Sequence, residues 1–333
     1  MYTKEEIIDR LGSVIDTSNG LPLSETGGVK FVDIDKEKNI VNLVIALSKD
    51  EDKYKREMTR SLAKLIKLDL GFTGIKLDFE LLKKSGSILA REVKYIGVAS
   101  GKGGVGKSTI TANLAYALKS LGKTVGIIDA DIYGSSIPTI IDIPITPPRA
   151  TKDEKIIPFE KDGIQLISTE FFTDPSKPLM WRGPMLGKML HHFFYDVEWS
   201  EKIEYILVDL PPGTGDVALD IQNLIPQSKM LIVTTPHPSA SHIAVKAGFA
   251  AKELGHSIIG VVENMAYFEH AGEKVNIFGE GGGEMVATKL ETEVLTSIPI
   301  GQPTSGHHSI FSMTEEIGLV YLGLANKIIK AYK

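Results

Sequence analysis

The stretch Gly101-Lys102-Gly103-Gly104-Val105-Gly106-Lys107-Ser108-Thr109 decides the fold. It fits G-x-x-x-x-G-K-[ST], the loop whose backbone N–H groups cradle phosphates. Glycines let the chain curl so that several N–H groups point at one anion. The pattern places Lys107 at the β- and γ-phosphates and offers the Ser108 hydroxyl to Mg²⁺. A helix that starts there adds its positive N-terminal end.

Outward from the loop, Val93 to Ala99 reads as a buried strand. Ser108 to Leu121 reads as a helix, with Ile110, Leu114, Ala117 and Leu118 at helical spacing. A strand from Thr124 to Ile128 completes a β-loop-α-β unit and runs into Asp129-Ala130-Asp131-Ile132-Tyr133-Gly134. Acids at the carboxyl end of a strand sit where an open parallel sheet places its ligand. Asp129 and Asp131 can there hold Mg²⁺ through water or orient an attacking water. The apolar strand Ile203 to Val208 ends in Asp209-Leu210-Pro211-Pro212-Gly213-Thr214-Gly215-Asp216. Asp209 is then the second metal-side carboxylate, and the glycines permit a loop that moves when the γ-phosphate leaves.

Further strands are expected at Gly163–Thr169, Met230–Thr234, Ile258–Glu263 and Ser297–Ile300. Helices are expected from Met180 through Phe193, over Ser241–Leu254 and from Glu315 onward. Residues 141–162, rich in Pro, Lys and Asp, read as an irregular excursion. The fold class is α/β, a mostly parallel twisted sheet flanked by helices. Asn264, after the strand Ile258–Glu263, carries a donor and acceptor pair that suits a base edge.

Residues 1–82 read as a separate small α-β-β-α-β domain with a docking role, 83–92 as a linker and 93–333 as the ATPase domain. Thr3 with Glu6 forms a capping box for the first helix. Strands Val29–Ile34 and Ile40–Leu47 follow, around a turn at Asp35–Asn39. Ser48 with Glu51 is expected to cap a second helix with Tyr54, Met58, Leu62 and Ile66 on one face, before a third strand at Ile75–Phe79.

A 333-residue chain with 43% hydrophobic and 24% charged residues is an ordinary globular composition with room for two domains. Its net charge of -5 leaves no electrostatic footprint for nucleic acid. No apolar run reaches membrane-spanning length, and the polar, acidic N-terminus is no signal peptide. A cytoplasmic protein without membrane attachment is expected. The chain has no cysteine, which excludes disulfides, thiolate catalysis and thiolate-bound metal within it.

Taken together, Gly101 to Thr109 with Lys102 as an extra signature lysine, Asp129 to Gly134, Trp181-Arg182-Gly183-Pro184, Asp209 to Asp216, Val262-Glu263-Asn264-Met265 and Ile277-Phe278-Gly279 resemble the Mrp/ApbC family of iron–sulfur cluster carrier ATPases. That family belongs to the deviant-Walker group with MinD, ParA and the nitrogenase iron protein. The resemblance covers residues 91–333, and the first 82 residues resemble, more weakly, the small domain often fused to such ATPases. It implies a homodimer that sandwiches two ATP molecules. Lys102 would reach the partner's nucleotide, Lys107 hold the phosphates and Asp131 position or activate the attacking water. Ser108, Asp129 and Asp209 would serve Mg²⁺, and Asn264 would recognise adenine. A protein client or iron–sulfur assembly partner is implied.

The chain departs from the family pattern where the cluster would sit. Family members carry a C-x-x-C pair between the Asn-Met and Ile-Phe-Gly segments. This chain has Ala266-Tyr267-Phe268-Glu269-His270-Ala271-Gly272-Glu273-Lys274-Val275-Asn276, which reads as a solvated turn. The small domain's usual cysteine is replaced by Ala46-Leu47-Ser48-Lys49-Asp50. Clusters are held mainly by thiolates, so composition speaks against a bound Fe–S cluster. Glu269 and His270 are the remaining metal-ligating types in the interval. The alternatives are a MinD/ParA-like spatial regulator or an ATP-dependent scaffold without a cluster.

Overall fold

In the computed structural model the chain divides into two compact units, residues 1–86 and 87–333. The structure describes residues 2–18, 20–26, 28–35, 38–47, 49, 51–81, 87–131, 134–152, 155–173, 183–215, 225, 228–304 and 309–333.

The first unit opens with α1 (Lys4–Gly12), whose capping box forms as the sequence predicts: Glu6 N–H donates to Thr3 Oγ1 and Thr3 N–H donates to the Glu6 carboxylate. A short antiparallel pair, β1 (Ile15–Asp16) and β2 (Leu21–Pro22), and a single turn, α2 (Leu23–Thr26), come next. The periodicity does not reveal these pieces, because two-residue strands carry no alternation. Then follow β3 (Val29–Asp35), β4 (Ile40–Leu47), α3 (Asp52–Lys64) with a π-helical continuation over Leu65–Asp69, and β5 (Gly74–Leu81). The sheet order is β3-β4-β5, antiparallel then parallel. Ile7, Leu11, Val41, Leu43, Ile45, Met58, Leu62 and Ile66 form its core. The expected cap of α3 differs: Glu51 itself occupies the N-cap position with no side-chain cap bond, and Ser48 lies outside the described residues.

In the second unit, β6 (Lys94–Ser100), α4 (Lys107–Ser120), β7 (Val125–Asp129) and the turn α5 (Ile137–Ile140) come first. The irregular stretch ends in β8 (Phe159–Lys161), which pairs with β9 (Ile164–Ser168). After these come α6 (Gly183–Tyr195), β10 (Tyr205–Asp209), β11 (Lys229–Thr234), α7 (Pro238–Glu253), β12 (Ser257–His270), β13 (Glu273–Val275), α8 (Gly282–Lys289), β14 (Val294–Ile300) and α9 (Glu316–Ala331).

The strands join in the order β13-β12-β11-β6-β10-β7-β9-β8, with β14 beside β12. All neighbours are parallel except β8 and β13. Every residue of β7 and β10 is buried, as expected of strands covered by helices on both faces. The apolar face of α9, with Tyr321, Leu324, Ala325 and Ile328 buried, packs on α4 and β14.

The interval 266–276 is exposed from Phe268 to Asn276, as expected of a solvated segment, but it is a strand hairpin and not a plain turn. β12 continues past Glu263 to His270 and pairs with β13 as a hairpin. Ala271 and Gly272 both have positive φ, 52° and 81°, the requirement of a type I′ hairpin turn. The period-2 signal was hidden because the strand bends at Met265, φ 54°, where its register with β14 shifts.

Candidate functional site

The site is built at the carboxyl ends of β6, β10, β7 and β9. After Ser100 the chain turns through 101–106 into α4. Gly101 permits close backbone approach: a Cβ there would lie 2.3 Å from the Ile243 carbonyl carbon of α7. Gly104 and Gly106 take φ of 82° and 85°, a region costly for other residues. A Cβ on Gly106 would also meet Asn264 Nδ2 at 2.2 Å. That Nδ2 donates to the Val105 carbonyl at 2.8 Å, so β12 braces the loop from behind. On the other side Gly103 and Gly104 are exposed, and nothing lies within 4 Å of where their Cβ atoms would be.

Lys107, the first residue of α4, is 6% exposed. Its Nζ lies 2.7 Å from Asp209 Oδ2 and 3.3 Å from Asp131 Oδ2. Ser108 Oγ donates to the same Asp209 Oδ2 at 2.6 Å. Burial alone would weaken the charge on Lys107. The carboxylates of Asp209, Asp131 and Asp129 outweigh it and hold the ammonium above its ordinary lysine pKa.

Sheet register aligns the acids. Asp209 and Asp129 are direct partners across β10 and β7, and Asp129 is paired in turn with Ser168 across β9. Asp129 Oδ2 accepts from Ser135 Oγ at 2.6 Å and from Ser168 Oγ at 3.0 Å. Burial, followed by the Asp209 charge, pushes its carboxyl up to about 7 against the pull of the two hydroxyls and Lys107. Asp131 accepts from Gly134 N–H at 3.1 Å. Its carboxyl is also raised, chiefly by burial, with Lys107 opposing.

The structure thus brings Lys107, Ser108, Asp129, Asp131 and Asp209 together, with Asn264 behind the loop. Lys102 stands apart from them, exposed to solvent. Thr109 contributes its carbonyl to Asn113 Nδ2 at 2.9 Å. The residues Ile132, Tyr133, Trp181, Arg182 and Asp216 lie outside the described residues. The sequence reading missed Thr111, Ser135 and Ser168. Thr111 was within reach, being one helical turn after Lys107. Ser168 follows only from the strand order β10-β7-β9.

One ammonium stands among three carboxyl groups, a cluster rich in oxygen. A serine hydroxyl and a carboxylate oxygen also stand side by side, donors of the type that hard Mg²⁺ takes. The residues therefore fit a nucleotide with its magnesium. Among the described residues no group of three or more His, Cys, Asp or Glu could hold a metal alone. That is compatible with Mg²⁺, which is usually bound by one or two carboxylates together with phosphates and water. Glu269 and His270 lie exposed on the β12–β13 hairpin. No helix among the described residues is long and apolar enough to cross a membrane.

A glycine loop between a buried parallel strand and a helix, with an acid at the tip of the adjoining strand, defines a P-loop nucleotide-binding protein. Residues 92–314 match the ParA family described as NUBPL iron-transfer P-loop NTPase, and the chain belongs to that family. It is 39% identical to the iron-sulfur cluster carrier protein of Bacillus subtilis (strain 168), over 98% of both chains. It is 37% identical to the iron-sulfur cluster carrier protein of Mycobacterium tuberculosis (strain ATCC 25618 / H37Rv), over 87% of this chain and 80% of that one. Among solved structures, a nucleotide-binding protein of Archaeoglobus fulgidus in complex with ADP aligns at a TM-score of 0.55 and 32% identity, covering 70% of this chain and 87% of that one. The cell division ATPase MinD of Pyrococcus furiosus aligns at a TM-score of 0.53 and 21% identity, over 72% and 99% of the two chains, a likeness of fold.

Proposed function

We propose that this chain is a Mg²⁺–ATP-dependent ATPase switch, working as a homodimer in iron–sulfur cluster assembly, whose cluster substrate is held by a partner's thiols. The observation that carries the reading is the ion pair of Lys107 with Asp209, shared by the Ser108 hydroxyl at the foot of the phosphate loop. Lys107 exchanges its carboxylates for the β- and γ-phosphates. Ser108 and Asp209 then offer their oxygens to magnesium, with Asp129 beside them. When bound, the metal neutralises charge that develops on the phosphate oxygens. Asp131, freed from Lys107, orients the attacking water and draws on its proton. Lys102, exposed at the loop's tip, reaches the partner protomer's nucleotide, and Asn264 recognises adenine while bracing the loop. The N-terminal unit docks the client, and the cytoplasm is the compartment.

The relatives' name, iron-sulfur cluster carrier protein, supports the assembly role. The absence of cysteine argues that no cluster rests on this chain's own thiolates. The test is anaerobic reconstitution with iron and sulfide, with and without ATP, alongside a phosphate-release assay. The expected result is ATP turnover that is lost in Lys107→Ala and Lys102→Ala, with no iron or sulfide retained by the purified protein. A stoichiometric, stable cluster would overturn the thiol-free reading and make Glu269 and His270 the first residues to replace. Turnover unchanged in Lys107→Ala would overturn the ATPase reading.

A further inference from the structure

Thr111 is fully buried in α4, one turn after Lys107. Its Oγ1 lies 2.7 Å from Asp209 Oδ1 and 3.0 Å from the Lys107 carbonyl oxygen. A hydroxyl has one proton to give. Asp209 Oδ2 lies 2.7 Å from the Lys107 ammonium, and its Oδ1 faces the Thr111 hydroxyl. Two oxygens 2.7 Å apart with no proton between them would repel, so the proton goes to Asp209. The Lys107 carbonyl does not need it, because a helical carbonyl accepts the N–H four residues on.

Both oxygens of Asp209 are thereby assigned. Oδ1 is anchored by Thr111, and Oδ2 faces Lys107 and Ser108. We infer that Thr111 is a positioning residue: its hydroxyl fixes the rotation of the Asp209 carboxylate so that Oδ2 stays beside Ser108 Oγ as one half of a magnesium-binding oxygen pair. This rests on the nucleotide-binding reading above. Hydrogen bonds that orient a ligating carboxylate are worth about 10- to 100-fold in metal affinity or activity.

The test titrates the full chain with ADP by calorimetry, once in EDTA and once in Mg²⁺, so that turnover is not the readout. Thr111→Val keeps the shape and removes the hydroxyl; Thr111→Ala removes it without the β-branch; Thr111→Ser restores it. Thermal unfolding checks that each variant is folded. Metal-free ADP affinity should stay within about twofold of the original in every variant. The tightening that Mg²⁺ confers should fall about tenfold or more in Thr111→Val and Thr111→Ala, and return in Thr111→Ser. The inference is overturned if either hydroxyl-free variant keeps the full Mg²⁺ effect. It is equally overturned if Thr111→Ser loses as much as Thr111→Val, or if metal-free affinity falls in the same proportion. If the unaltered protein binds ADP under neither condition, the nucleotide reading fails, and the inference with it. If the unaltered protein responds to Mg²⁺ and the variants match it, the inference alone fails.

Discussion

The tips of β10 and β7 end in the same residue, in direct register, and in different electrostatic company. Asp209 has an ammonium at 2.7 Å and two hydroxyl donors, Ser108 and Thr111. Asp129, one strand away and equally buried, takes its side-chain hydrogen bonds from Ser135 and Ser168. Hydroxyls are weaker compensation for a buried charge than a cation. Burial, and after it the repulsion from Asp209 at the neighbouring strand end, push Asp129 up to about 7 against the pull of its two hydroxyls and of the more distant Lys107. The strand end supplies the position of each acid. The partner supplies its electrostatic surroundings.

Removing the cation should break that contrast most severely. Lys107→Ala is expected to lower ATP turnover by about 10²-fold or more, the scale of losing a preorganised electrostatic contact. Phosphate release at saturating ATP would measure it. Retained turnover would mean that Asp209 and Asp129 are not distinguished by Lys107 in any way that serves chemistry. Asp131 tests the other acid on the same ammonium. Asp131→Asn should cost about 10²-fold in turnover, as for loss of a general base, while nucleotide still binds. A variant that also fails to bind would assign Asp131 to the phosphate cradle instead.

A pH series sharpens the comparison from the side of Asp129. Its folded pKa, about 7, is above its ordinary 3.8, so between those values the folded chain holds more protons than the unfolded one. Its contribution to stability therefore falls as pH rises from about 4 to about 7, by at most about 1.4 kcal/mol per pH unit. Asp131, also raised, pulls the same way. The elevated Lys107 acts only above its ordinary 10.5, outside this window. Urea unfolding across that range should show a shallower decline in Asp129→Asn. An unchanged slope would mean that Asp129 ionises freely and that the contrast with Asp209 is illusory. The smallest effect is expected from Ser168→Ala, about 1 kcal/mol, because Ser135 still donates to the same oxygen. A loss several times larger would mean that the two hydroxyls act as one unit.

Much of this was legible in the chain itself. The loop 101–109, the strands either side of it and the acids Asp129, Asp131 and Asp209 follow from residue type and spacing, because phosphate binding demands that local pattern. The capping box of α1 is equally local. The hairpin β12–β13 was not legible: a bend at Met265 interrupts the alternation, and the turn residues Ala271-Gly272 signal a hairpin only once positive φ is seen at both. Nor was the bond of Asn264 to the Val105 carbonyl, which spans distant parts of the chain.

By itself, then, the sequence determined that a P-loop unit exists, which residues could touch phosphate and metal, and that no thiolate is at hand. Which acid stands next to which, and which cation or hydroxyl faces each of them, only the tertiary structure decided. Strand order is set by long-range pairing, so β10 between β6 and β7 delivers Asp209 to Lys107 and leaves Asp129 to two serines. A buried carboxylate's ionisation depends on what lies within a few ångströms of it, and nothing in the chain's linear order fixes that distance.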